Sequence, residues 1–324
     1  MDTQELPLVV FTVLAQMSVG AFLVLGVLHV LAGRSSGEAT VSKLSDPALY
    51  VIGPVMVIAL AVSLAHLGDP LHALYTCENF GRSWLSREIV FGVAFAVCSI
   101  AFALAHGRHW FDPLLREALA GVTALFGLAF IFSQGMIYVI PTIPGWDSWA
   151  TPVGFFITTF LLGSLEVGAV LVAVTTIPSL RARHGGDTAP MLRRSLRWTS
   201  VVAMVMLGIE FVMQPTYALE LSKAGGAAAQ SANLLLYGGG SVFIVEMVLV
   251  FLGAALISYF LYHLGSSNSK PSDAGPVAAS QELIMSTSVQ RIALYAVSAA
   301  FVLVLASEVV GRLLFYTSNV RIGF

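Results

Sequence analysis

The stretch HLGDPLHALYTCENFGRSWLSREI, residues 66–89, sets His66, Asp69, Arg82, Trp84, Arg87 and Glu88 between two strongly apolar runs. A histidine and a glutamate at the facing ends of two such runs are the residue types that can take protons from a small redox molecule beside lipid. A neutral imidazole accepts a proton near neutral pH, and a carboxylate in a partly dry setting can do the same. A quinol requires such groups at its two oxygens, because two protons leave as two electrons do, and it requires an apolar slot for ring and tail. His66 and Glu88 are therefore the first candidate pair for binding a quinol and accepting its protons. The competing reading is structural: His66 caps the last carbonyls of its helix, and Glu88 pairs with Arg87 or Arg82 at the interface.

The elements that must position these residues are written in the composition. Of 324 residues, 57% are hydrophobic and only 10% charged, and the mean hydropathy is +0.86. A water-soluble globule of this size would lack polar residues to cover its surface, so the chain is an integral membrane protein. Apolar runs of about 20 residues or more, enough to cross a bilayer, fall near 7–32, 47–67, 85–106, 113–140, 151–179, 196–215, 241–263 and 289–316. The expectation is one all-α transmembrane domain over 1–324, eight helices packed as bundles, because an open sheet cannot satisfy its backbone in lipid. The segment at about 264–288, with GSSNSKPSDAGPVAASQE, has the composition of a flexible linker. MDTQELP at the start lacks the basic region of a cleaved signal peptide, so the first span is expected to be retained.

Orientation follows from Lys and Arg. Eleven of the 16 lie on the side of the loops that follow odd-numbered spans, and five (Arg82, Arg87, Lys223, Arg312, Arg321) lie on the other. The positive-inside rule then places both termini outward, toward the periplasm of a Gram-negative bacterium. Trp84, Trp110, Trp146, Trp149 and Trp198 all fall near span ends, where an interfacial belt is expected. Most of the basic residues fall in loops or near span ends, so no nucleic-acid partner is implied. Cys77 and Cys98 stand alone, without ligand spacing for a zinc or an iron-sulfur centre in this chain. His29, His106 and His263 lie at span ends on the inner side, where capping or snorkelling explains them better than haem ligation.

On this topology the polar residues gather toward the outer face. Gln16 and Gln134 fall in the outer halves of spans one and four, and Glu210, Glu246 and Glu308 in the outer parts of spans six, seven and eight; Glu166 alone is near mid-span. Ionisable groups inside a bilayer are costly and so carry functional hypotheses. Glu308 and Arg312, spaced i,i+4, are read as neutralising each other on one helix face. Glu210 and Glu246 are open between interhelical contacts, hydrated carboxylates and a relay. Asp69-Pro70 reads as a turn. Tyr138 suits either a quinone hydrogen bond or the interfacial belt.

Three ordered segments carry a family resemblance. HLGDPLHALYTCENFGRSWLSREI is similar to the His-Leu-Gly-x-Pro to Leu-Ser-x-Glu-Ile segment of the membrane anchor subunit of the dimethyl sulfoxide reductase family. PLVVFTVLAQMSVGAFLVLG at 7–26 resembles its opening helix, and PGWDSWATPVGFFITTFLLG at 144–163 resembles its fourth connection and fifth span. The resemblance implies a haem-free, metal-free, multi-pass anchor in the bacterial inner membrane. It implies two partners: a ferredoxin-like iron-sulfur subunit, and behind it a molybdopterin catalytic subunit. It also implies menaquinol or ubiquinol as the bound substrate, with His66 and Glu88 on the family's quinol-site positions and the partner-binding face periplasmic. Gln16, Asp69, Arg82, Trp84, Arg87, Gln134 and Tyr138 are expected near that site or at the partner contact. The terminal substrate and the direction of electron flow stay open. So do two rival readings, a transporter with an acidic vestibule and an anchor that handles no quinone.

Overall fold

The computed structural model describes residues 6–36, 38–64, 78–177, 189–238, 242–266 and 287–322. Every long element in it is a helix: α1 Leu6–Ser36, α2 Glu38–Leu64, α3 Trp84–Gly107, α4 Pro113–Met136, α5 Ala150–Thr176, α6 Ala189–Ala224, the short α7 Gly226–Asn233, α8 Val242–Ser266 and α9 Thr287–Thr317. Eight of these are long and apolar enough to span a membrane. His66 and Asp69, with most of the 264–288 linker, lie outside the described residues.

Helix ends follow local chemistry. Ser83, extended at φ −107° and ψ 126°, accepts from the Ser86 amide at 3.4 Å and starts α3, satisfying one of the orphan donors of a helix N-terminus. Pro113 opens α4, where its missing N–H has no cost. The apolar run at 196–215 is only part of α6, which continues through Pro215 to Ala224. The residues after Pro215 include good helix formers, and a proline inside a membrane helix is tolerated where neighbouring groups satisfy the freed backbone. Ala218 and Leu221 on that extension are buried and lie in the same small apolar cluster as Ala228 and Ala232 of α7. A π-helical turn, Leu234–Gly238, follows.

The packing divides into two groups joined at a seam. Helices α1 to α4 pack in succession, α1 on α2, α2 on α3 and α3 on α4, while α5, α6, α8 and α9 form the other group; α1 and α5, the two most buried spans, cross at the seam. Their crossing is backbone on backbone. A methyl at Gly20 would collide with the Thr159 carbonyl, and one at Gly163 with the backbone of Gly20 and Ala21. Small residues allow such close approach, which matters where lipid supplies no hydrophobic drive between helices. Ser18 adds an interhelical bond, its hydroxyl donating to the Ile52 carbonyl of α2 at 2.8 Å.

This crossing decides a prediction. In an isolated helix Gly163→Ala would be favoured by about 1 kcal/mol of propensity, but overpacking a fitted contact costs about 1–3 kcal/mol. Because the clash is with backbone that no rotamer change relieves, the cost should win. Gly163→Ala is expected to lower the unfolding midpoint in detergent, and an unchanged or raised midpoint would show that the crossing is loose.

Candidate functional site

The start of α3, the end of α4, the start of α5 and the end of α9 meet at one end of the bundle. The connection 137–149 is folded back over them. Trp146 Nε1 donates to the Phe315 carbonyl at 3.0 Å, Thr151 Oγ1 donates to the Trp146 carbonyl at 2.8 Å, and the Ile322 amide donates to the Thr142 carbonyl at 2.9 Å. Tyr217, on the extension of α6, hydrogen-bonds the Gly145 carbonyl through its hydroxyl. The site is therefore roofed by structured chain.

Under that roof runs a chain of buried polar side chains from four helices. Arg312 of α9 donates to Gln16 Oε1 of α1 at 3.1 Å, and Gln16 Nε2 donates to Gln134 Oε1 of α4 at 3.0 Å. Gln134 is in turn the polar side-chain neighbour of the Glu88 carboxyl on α3. All four are buried, both amides completely and Glu88 and Arg312 to within 6% and 8% exposure. Gln134 Nε2 is buried without a partner at full hydrogen-bond geometry, with the Glu88 carboxyl as its side-chain neighbour. Arg312 also lies 3.8 Å from the centroid of Phe155, a cation held against an aromatic face. An Arg so placed must find acceptors, and it finds them across 296 positions of sequence.

The interfacial belt expected for Trp146, and one of the two readings of Tyr138, is not what the structure shows: both are buried. Tyr138 is only 8% exposed and packs against Trp146, Phe155, Phe315 and Tyr316. Its hydroxyl is 2.9 Å from that of Tyr316. Trp146 is equally buried and stacks on Phe315, 5.3 Å between centroids. The reason is the fold of the 137–149 connection, which turns both rings inward and gives each polar tip a protein partner. Burial, then the neighbouring Tyr316 and Glu88, push the Tyr138 phenol well above its ordinary value, so Tyr138 is a hydrogen-bonding group and not an anion.

The basic residues near Glu88 turn elsewhere. Arg87 donates from Nε to the Phe80 carbonyl at 3.0 Å and from a terminal nitrogen to the Gly81 carbonyl at 2.9 Å, and it stacks 4.2 Å over the Trp84 ring. Arg82 is exposed in the preceding turn. The structural alternative, Glu88 paired with Arg87, is not the arrangement found: adjacent helix positions project about 100° apart, so Arg87 faces the loop and Glu88 the interior. Trp84 packs edge-on against Phe132 of α4. These contacts brace the turn before α3.

The expected Glu308–Arg312 neutralisation is also revised. Glu308 Oε2 accepts from Thr158 of α5 at 3.0 Å, while the Arg312 hydrogen bond goes to Gln16. Arg312 still acts electrostatically on Glu308, and on Glu210 and Glu246. These three carboxyls line a cavity of about 100 Å³ between α5, α6, α8 and α9. Glu166, in the middle of α5, is buried with Oε2 unpartnered. At the opposite end of the bundle His106 Nε2 lies 3.2 Å from Asp46 Oδ1, and His29 meets His106 edge-on at 6.1 Å. Among the described residues no group of three or more His, Cys, Asp or Glu is placed to hold a metal ion.

Sequence reasoning placed Gln16, Gln134, Glu88 and the acidic residues at one end but left Thr158, Tyr316, Gln214 and Tyr217 unnoticed. Hydroxyl and amide residues in apolar helices are too common to single out. The one usable signal was Arg312 itself, a cation in a span that must be solvated by other helices.

Eight apolar spanning helices with a polar interior gathered at one end define a multi-pass membrane protein. Comparison with known proteins sharpens this: the family model described as DMSO reductase anchor subunit matches residues 1–270. An anaerobic dimethyl sulfoxide reductase chain of Escherichia coli (strain K12) is 30% identical over 322 residues, 98% of this chain and 96% of that protein. A second anaerobic dimethyl sulfoxide reductase chain of the same organism, YnfH, is 27% identical over 327 residues, again 98% and 96%. A sulfite dehydrogenase subunit of Allochromatium vinosum is 24% identical over 258 residues, 68% of this chain and 76% of that one. The chain belongs to the DMSO reductase anchor subunit family.

Proposed function

We propose that this anchor oxidises membrane quinol, menaquinol or ubiquinol, and passes its electrons to an iron-sulfur partner subunit that serves a molybdopterin catalytic subunit. The observation that carries the reading is Glu88, a carboxyl 6% exposed, one turn inside α3 and faced by the Gln134 amide with an uncommitted donor. A buried carboxylate with a directional amide beside it, at the end of an apolar bundle, fits a quinol hydroxyl entering from lipid. Glu88 accepts one proton from that hydroxyl, His66 the other, and Gln134 orients the ring oxygen. Two electrons leave as the two protons do, so the ring ends as quinone. Asp69 and loop water carry protons away from His66.

In this reading the Glu88 end faces the periplasm, with both termini, in a bacterial inner membrane. Exposed Phe80, Arg82 and Trp149 at that end contact the iron-sulfur subunit, with Arg87 and Trp84 bracing the loop that presents them. Electron transfer to a cluster just outside the membrane requires the quinol site to lie on that same side, and the gathering of the polar chain at the Glu88 end supports this.

The test uses the native complex in mild detergent. Iron-sulfur and molybdopterin subunits should copurify with the chain, and added reduced quinol should reduce a partner cluster, followed by electron paramagnetic resonance. If the subunits copurify but no cluster is reduced by quinol, while dithionite reduces it, the chain is an anchor without a quinol site. If the chain isolates alone and transports a solute in vesicles, the reading fails altogether.

A further inference from the structure

The second helix group contains a chamber that the quinol reading does not use. Its walls are Glu210, Gln214 and Tyr217 of α6, Glu246 of α8, and Glu308 with Arg312 of α9. Thr158 and Phe155 of α5 close the fourth side, and Gly145, Leu235 and Ser318 line it at the roofed end. The three carboxyls are 5%, 5% and 7% exposed. Glu210 Oε2 and Glu308 Oε1 have no hydrogen-bond partner in the protein, so two buried acceptors line the cavity unsatisfied.

The carboxyls are held there by construction. Glu246 presses on the backbone of α9 at Gly311, where even a methyl group would collide with its carboxyl. Thr158 orients Glu308 at 3.0 Å. Arg312 is drawn to the rim of the cluster by Gln16 and Phe155. Tyr316 and Tyr138, also electrostatic neighbours of Arg312, are committed to each other.

Charge count then constrains the occupant. Three anions against one guanidinium would leave two charges uncompensated inside a membrane, which is prohibitively costly. Neutrality needs positive charge from outside the protein. Among the described residues the three carboxyls are not grouped as metal ligands, and protons neutralise carboxyls without needing a ligand shell. A cavity of about 100 Å³ lined by this many polar groups has room and partners for several waters.

We propose that this chamber is a hydrated proton-holding site, in which Glu210, Glu246 and Glu308 share exchangeable protons with internal water around a fixed Arg312. It is joined to Glu88 by the Arg312–Gln16–Gln134 chain, which transmits charge and not protons, since neither amides nor a guanidinium release a proton readily. The assignment stands whatever molecule reacts at Glu88.

Infrared spectroscopy of the native complex in lipid nanodiscs tests it. The wild type should show carboxylic acid carbonyl bands that shift when H₂O is exchanged for D₂O within minutes of mixing. Glu246→Gln and Glu308→Gln, which keep shape and hydrogen-bonding size, should each cause loss of an exchanging band, and Glu166→Gln should leave those bands in place. Sodium, potassium, magnesium or calcium chloride added singly at fixed pH should change nothing. Absence of exchanging acid bands from the folded wild type would overturn the proposal. Loss of the bands on adding one of those salts would overturn it in favour of a metal-cation site. The wild-type and salt measurements require no variant, so a misfolded mutant cannot shield the proposal.

Discussion

Glu88→Gln is expected to cut quinol-driven reduction of the partner cluster by about 10²–10⁴-fold, the range associated with removing a positioned general base, while the assembled complex is recovered in normal amount. The substitution keeps the side chain's size and its contact with Gln134, so packing in the α3–α4 interface is conserved. What it removes is the only group on α3 at that depth able to take a proton. Because both quinol oxygens must be deprotonated for both electrons to leave, one missing acceptor should stall the reaction and leave binding largely intact. Turnover should therefore fall in kcat more than it rises in KM. Dithionite reduction of the same clusters should be unaffected, which separates a chemical defect from a broken electron path. Turnover within about two-fold of wild type, well below the effect of losing a general base, would sink the assignment of Glu88 as proton acceptor. His66→Ala is the companion variant, and equal loss in both would fit a pair acting on one molecule.

The architecture was legible because membrane helices announce themselves. Lipid forbids unsatisfied backbone, so each apolar run had to be a helix, and eight such runs gave eight long helices. Where reading stopped short was at ends and connections. The inward fold of Trp146 and Tyr138 depends on contacts with Phe315 and Tyr316, far away in sequence, and the continuation of α6 past Pro215 on packing against α7 and on Tyr217 reaching the Gly145 carbonyl. An aromatic residue near a span end looks the same in sequence whether it faces headgroups or packs under a roof. The site divides likewise. That Gln16, Gln134 and Glu88 share one end followed from counting residues into each span. That Gln16 bridges Gln134 and Arg312 did not, because which face of a nearly all-apolar helix turns inward has no periodic signal to mark it. The i,i+4 spacing of Glu308 and Arg312 pointed to a local pair, yet the arginine is taken by α1 and the glutamate by Thr158 of α5. A buried cation selects partners by the whole surrounding field, and sequence neighbours are only one part of it.

Arg312→Met should be the most destabilising single change at this end of the bundle, by about 3–5 kcal/mol on the scale of breaking a buried charged interaction. Three losses coincide. Gln16 Oε1 loses the donor that reaches it from α9, three carboxyls lose their shared cation, and the faces of Phe155 and Phe315 lose the guanidinium packed over them. Arg312→Lys keeps the charge but not the planar fork or the stack, so it should recover only part of the loss. The decisive comparison is a double variant. If the cost of Arg312→Met comes mainly from stranded negative charge, then adding Glu308→Gln should restore a measurable share, giving a coupling energy of about 0.5–3 kcal/mol between the two sites. If the cost comes mainly from lost packing and the broken bond to Gln16, Glu308→Gln should add its own small penalty and nothing more. Unfolding midpoints of the four proteins of that cycle, taken in one detergent at one pH, distinguish the cases. A positive coupling would mean that Arg312 sets the charge of the carboxyl chamber while it holds α1 to α9, so that the seam between the two helix groups and the proton inventory of the second depend on one side chain.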